Sequence, residues 1–208
     1  SDPLLHELNI SDVYFSWGWN YAGFNVKDMP ALKLINKRSE WNNKDHILVI
    51  VRPRMRYLFS LTTLCLPGNS FEASMHDLIN LITNLPEDIK ENMFIKPSPV
   101  ESNERFEPFV PQIKDTFKDI KIIPDDESLD DYLKNSKLNI FTYDGTPFLE
   151  SIGLDRPCLV ISNQDREPLS KLAQPYCNKL EKVGIYHTSV ESAVRQVKQI
   201  SKNIDWNN

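Results

Sequence analysis

Two hydrophobic patterns alternate along the chain from residue 46 onward. Short continuous apolar runs, rich in β-branched residues, occur at 47–51 (ILVIV), 93–95, 121–123, 138–142, 158–161 and 185–186. Runs of this kind, apolar on both faces, belong to buried parallel strands. Between them lie segments with apolar residues at helical spacing. In 70–85 (SFEASMHDLINLITNL), Phe71, Met75, Leu78, Ile79 and Ile82 share one face. Further helices are predicted over 106–117, 129–133, 147–154, 168–183 and 190–204. Strands separated by helices require crossover connections, which place helices on both faces of a parallel sheet. The fold class expected for 46–208 is therefore α/β, a Rossmann-like doubly wound sheet. Residues 1–45 are aromatic and show little period, with Trp17-Gly18-Trp19 and Tyr21 leading to 29–34 (MPALKL). This part reads as an extended arm with a short strand near 31–35, a polar linker at 36–45, and packing against the domain that follows.

Composition narrows the classes without choosing among them. The chain has 208 residues, with 40% hydrophobic and 25% charged positions. A chain of this size buries roughly 70% of its unfolded surface and needs no disulfide or metal staple. With 24 Lys+Arg against 29 Asp+Glu, the net charge of -5 argues against a general nucleic-acid binder. Cys65, Cys158 and Cys177 are far apart and form no metal-ligand spacing, so reduced, mostly buried thiols are expected. No apolar run reaches the roughly 18 residues of a membrane span. The acidic, polar N-terminus is not expected to act as a signal peptide. The chain begins Ser1-Asp2-Pro3 without Met, and it is expected to be part of a longer protein.

In open parallel sheets, ligands bind beyond the carboxyl ends of the strands. Three loops there carry suitable chemistry. After 138–142 comes Tyr143-Asp144-Gly145-Thr146-Pro147-Phe148-Leu149-Glu150. Gly145 suits a tight turn, Thr146 an N-cap, and Pro147 the first helical position. Free backbone N–H groups and the Thr146 hydroxyl then form an anion site at a helix N-terminus; alternatively Thr146 only caps its own helix. Glu150, one turn on, either accepts from ribose hydroxyls or is a solvated carboxylate. After 47–51, Arg52, Arg54 and Arg56 cluster within five residues, as a phosphate site or as a solvated basic turn. Lys96, in Lys96-Pro97-Ser98-Pro99, places a cation at the same sheet edge. His187 reads as a helix-entry residue rather than a catalytic one. No Gly-rich dinucleotide fingerprint, Walker loop or GxSxG elbow occurs. There is no DxD motif, and Asp125-Asp126-Glu127 reads as an acidic helix cap. No metal site is expected.

Several of these segments recur together, in order. Trp17-Gly18-Trp19, the 52–57 segment, Lys96-Pro97-Ser98-Pro99 and the 143–150 loop are followed by Arg156-Pro157, Ala173-Gln174-Pro175-Tyr176 and the 183–188 stretch. Together they resemble a family of transferases from bacterial surface-polysaccharide (O-antigen) gene clusters, over nearly the whole chain. The helix entry with its Glu and the Arg-Pro turn are also similar to GT-B glycosyltransferases. The resemblance implies the C-terminal half of a GT-B-type fold, which binds a nucleotide-sugar donor. Gly145 and Thr146 would hold the donor phosphate, and Lys96 and Pro97 would stand where related enzymes carry a nucleotide-contacting His-Pro pair. Such transfer needs cations or a helix dipole on the departing phosphate. It also needs a base for the acceptor proton. The base is not visible here and is expected in a preceding domain of a longer parent. The resemblance further implies a glycan or glycolipid acceptor, no cofactor or metal, and a place in the cytoplasm or peripherally at the inner membrane. Two other readings remain open: a polyol-phosphate transferase of the CDP-glycerol type, and a non-catalytic Rossmann-like module for a nucleotide or a protein partner.

Overall fold

A computed structural model describes residues 3–35, 46–52, 68–97, 110–124, 126–165 and 169–202. The chain divides into two units, Ser1–Ser39 and Glu40–Asn208.

In the first unit, a helix α1 (Pro3–Ile10) precedes two short strands, β1 (Tyr14–Ser16) and β2 (Val26–Asp28). The strands pair in parallel, with Tyr14 opposite Val26. The connection between them turns at Gly18, whose φ of +94° lies in the left-handed region that L side chains rarely adopt. That turn brings the Trp19 ring to 5.5 Å from Tyr14. The Ser16 hydroxyl donates to the Trp19 carbonyl across the same turn. The strand expected near 31–35 is instead a single 3-10 turn, Leu32–Leu34, closed by the Leu34 N–H donating to the Ala31 carbonyl at 2.8 Å. Alternating Leu32 and Leu34 suggests a strand, but the backbone bonds to itself locally, the Ile35 N–H also donating to the Leu32 carbonyl at 3.2 Å.

The second unit is the expected doubly wound domain. Its strands are β3 (His46–Ile50), β4 (Met93–Lys96), β5 (Lys121–Ile122), β6 (Ser136–Phe141), β7 (Cys158–Ile161) and β8 (Tyr186–His187). All pair in parallel, in the order β5-β4-β3-β6-β7-β8. Counted from β3, this is the 3-2-1-4-5-6 order of Rossmann sheets, with the order reversing between β3 and β6. The helices are α2 (Gly68–Asn84), α3 (Glu87–Glu91), α4 (Val110–Thr116), α5 (Leu129–Asn135), α6 (Thr146–Gly153), α7 (Gln174–Lys182) and α8 (Val190–Lys202).

The apolar runs divide by alternate residues between two cores. Ile47, Val49, Leu138, Ile140, Leu159 and Ile161 face α2, α4 and α8, meeting Leu78, Leu81, Ile113 and Val197. Leu48, Ile50, Phe141, Cys158 and Val160 face the opposite layer, meeting Leu133 and Phe148. Each such side chain contributes about 1.5–3 kcal/mol by burial, which is why the runs tolerate no polar alternation. The exception is Asn139, fully buried in β6. Its amide donates to the Pro157 carbonyl at 3.2 Å, and its oxygen accepts from Ser136 at 2.6 Å. Both polar ends are thus satisfied at the amino edge of the sheet.

One helix starts well after its expected position. The helix expected over 168–183 begins at Gln174. Pro175 lies in its first turn, and Ser170 holds the Ala173 N–H at 3.0 Å through its carbonyl and 3.2 Å through its hydroxyl. That turn occupies the residues a longer helix would need. The helix over 106–117 is described only as Val110–Thr116, and its first residues lie outside the described part. Among the described residues, no helix is long and apolar enough to cross a membrane.

Candidate functional site

The reversal of strand order puts the topological switch point, where open parallel sheets bind ligands, at the carboxyl ends of β3 and β6. Backbone pairing holds this edge as far as Thr142, whose N–H donates to the Ile50 carbonyl at 3.1 Å. The Thr142 hydroxyl donates to the same carbonyl at 3.2 Å and accepts from the Arg52 N–H at 3.4 Å. Beyond these contacts the two chains part. Arg52 continues from β3, and Tyr143 leads into the loop that starts α6.

That loop is built differently from the expectation. Gly145, not Thr146, is the N-cap, and its carbonyl accepts from Phe148 at 3.1 Å and from Leu149 at 3.4 Å. Thr146 is the first helical residue and Pro147 follows it, where a missing N–H costs nothing. The exposed Thr146 hydroxyl makes no cap. Gly145 has an ordinary extended backbone, with φ at −86°. What excludes a side chain is contact: a Cβ there would lie 2.2 Å from Cε2 of Tyr143 and 2.7 Å from its Cδ2. The Cδ2–Cε2 edge of the Tyr143 ring therefore lies against Gly145. On it sits the Arg52 guanidinium, 5.7 Å from the ring centroid. Burial pushes the Tyr143 hydroxyl above its ordinary pKa, and Arg52 opposes that shift.

The fold thus brings Arg52, Gly145 and Thr146 together at the switch point. Lys96 lies at the same edge, opposite Ile50 at the end of β4. Its ammonium is buried and donates to two backbone carbonyls, those of Pro124 and, at 3.1 Å, Glu127. Glu150 stands one turn into α6, half-buried, and its charge bears on Arg156. Arg54 and Arg56 lie outside the described residues.

Three residues of this region carry weight that the sequence pattern did not single out. Thr142 locks the two strand ends, and Tyr143 links Arg52 to Gly145. Arg156, buried before β7, has its pKa lowered by desolvation, which Asp130 and Glu150 oppose. The one sequence signal for Tyr143 was an aromatic residue two positions from a glycine. Burial pushes the Cys158 thiol up to about 12, so it stays protonated. Cys177 is half-buried and also raised, by burial first and then by Asp144, while Cys65 lies outside the described residues. Among the described residues, no cluster of His, Cys, Asp or Glu is placed to hold a metal.

His187, at the carboxyl end of β8, has a structural role. Its Nε2 lies 3.0 Å from the Gly184 carbonyl, which can only accept, so Nε2 carries the proton. Nδ1, 2.5 Å from the Ser192 hydroxyl, accepts from it. The ring is neutral, and burial holds its pKa below the ordinary 6.5, with Arg195 adding to the effect and Gly184 and Glu181 opposing it. The unfolded chain therefore binds a proton more readily than the folded one. Stability is expected to fall as pH drops below about 6.5, towards the lowered folded value. Urea midpoints measured from about pH 7.5 to about pH 5 should decline more steeply for the native chain than for His187→Gln. Equal slopes would rule the assignment out.

Fold and site together define a Rossmann-like α/β protein whose switch point lies near a helix N-terminus and an arginine. The chain belongs to the LIC12162 family of transferases, whose model (LIC12162 family transferase) matches residues 3–208. No curated protein and no solved structure matches it.

Proposed function

We propose that this transferase domain binds the donor of a nucleotide-sugar-dependent glycosyl transfer in bacterial surface-polysaccharide assembly, as the C-terminal half of a GT-B-type enzyme. The observation that supports this most is the Arg52 guanidinium over the Tyr143 ring, two residues before the N-cap of α6. Pro147 has no N–H and Phe148 already donates to Gly145, so the donors left at the start of α6 are the N–H groups of Gly145 and Thr146, where the helix dipole favours an anion. A guanidinium beside them adds charge-assisted hydrogen bonds in a fork geometry suited to phosphate. As the glycosidic bond breaks, negative charge grows on the departing nucleotide phosphate, and these groups would stabilise it without reorganising. Metal then has no necessary part in the step. The acceptor and the base that takes its proton would come from a preceding domain.

A thermal-shift panel of CMP, CDP, UDP, GDP and ADP, with and without magnesium, tests the reading. One nucleotide at about 100 times its dissociation constant should stabilise by about 2.7 kcal/mol. For a domain of this size that raises the midpoint by roughly 5–11 °C. Arg52→Ala should weaken that nucleotide by roughly 10- to 100-fold, and Thr146→Ala by up to about tenfold. A flat panel, or a response indifferent to both substitutions, would overturn the assignment.

A further inference from the structure

We propose that the outer face of α7 docks on the surface of an anionic lipid bilayer. The inference goes beyond the donor-site reading and uses none of its residues. Ala173-Gln174-Pro175-Tyr176, a segment with no part in the donor site, opens this helix. The inner side of α7 is committed to the fold. Cys177 and Leu180 pack in the core layer that holds Tyr186, and the Ile185 N–H donates to the Leu180 carbonyl at 2.9 Å. The outer side carries apolar residues that the core does not use: Leu172, Tyr176 and Val183 are 52%, 56% and 65% exposed. Apolar residues scattered singly on a surface are ordinary. These three instead recur with Lys179 at spacings of four, three and four, which puts them on one side of the helix. The Lys179 ammonium lies over the Tyr176 ring, 5.9 Å from its centroid. Lys171 and Lys182 are exposed as well, so 171–183 carries three lysines against one glutamate, in a chain of net charge -5. Among the described residues, none of the three lysines forms an ion pair. Lys179 and Lys182 suit the negative end of a helix, but Lys171, at the opposite end, does not.

An apolar stripe edged by lysines is complementary to a layer of anionic headgroups over acyl chains. Leu172 and Val183 would enter the acyl boundary, while the amphipathic Tyr176 ring sits at headgroup level. The lysine stems cover apolar surface and keep their ammonium groups among the phosphates. A protein partner suits this face less, because lysine is depleted in protein interfaces. A second copy docked face to face would oppose like charges.

The test is co-sedimentation of the whole chain with vesicles of phosphatidylcholine, alone or with about 40% phosphatidylglycerol, at low ionic strength. The native chain should bind the anionic vesicles and not the neutral ones, and should be released as salt shortens the screening length to about 3 Å at 1 M. Lys179→Gln with Lys182→Gln should weaken binding about 30-fold, each lysine supplying roughly fivefold. Tyr176→Ser with Val183→Ser should weaken it about tenfold or more, whereas Tyr176→Trp should stay within about twofold of the native chain. These positions are exposed, so thermal midpoints should stay near native. If the serine pair fails to fold, the lysine pair carries the same comparison. A chain that ignores anionic vesicles, or binds them equally well with either pair replaced, would overturn the proposal. So would a dimer in sedimentation equilibrium that the serine pair dissolves, since the stripe would then be a contact between copies. The nucleotide panel reads other residues, so a failure on vesicles leaves the donor-site reading standing, and a flat panel leaves this one.

Discussion

Phe141→Ala is expected to lower stability by about 3–5 kcal/mol, the range for removing a large aromatic from a core. Phe141 is fully buried at the end of the central strand β6, in the register position opposite Ile50. Its ring meets Phe148 of α6 edge-on, with centroids 5.7 Å apart. The substitution therefore opens a cavity between the sheet and the helix whose N-terminus lies near the switch point. The backbone there is held from both sides, by β3 and β7, so collapse into the void is limited. In thermal melts the midpoint should fall by roughly 6–20 °C. Phe141→Leu, which keeps most of the volume, should lose less than half as much. A small loss for the alanine variant would mean that this layer is not packed as described.

Lys96→Met should cost about 2–4 kcal/mol, although it keeps the apolar length of the side chain. The buried ammonium is shared between the carbonyls of Pro124 and Glu127, which follow β5. Methionine leaves both carbonyls with one fewer donor each, and the turn that carries them loses its tie to β4. The effect should appear in the unliganded protein, as a midpoint lower by roughly 4–16 °C. This separates two roles that the sequence alone leaves open. A lysine that serves chiefly as a phosphate contact would give an unliganded chain of native stability and a large loss of nucleotide affinity. A tether gives the reverse.

The same residue illustrates how far the sequence reaches. That Lys96 ends a strand at the ligand edge follows from the apolar run before it and the prolines after it. Which acceptors it meets does not, because they lie 28 and 31 residues away. The loop at 143–150 behaves likewise. Gly, Thr and Pro in succession announce a helix start, and α6 starts there. That the Tyr143 ring lies between Gly145 and Arg52, which is some 90 positions earlier, is a long-range contact that the local pattern does not announce. Local pattern is equally silent on α1 and α3, two short helices whose few apolar residues give weak periodicity.

By itself, then, the order of apolar and polar residues determined the α/β class and the six strands of the parallel sheet. It does so because burial on one face or two is a local, periodic demand on side chains. The tertiary structure alone decided that β3 and β6 lie side by side, that the strand order reverses between them, and that Arg52 meets the Tyr143 ring. These are contacts between segments distant in sequence, and no period along the chain encodes which of several equally apolar strands becomes the neighbour.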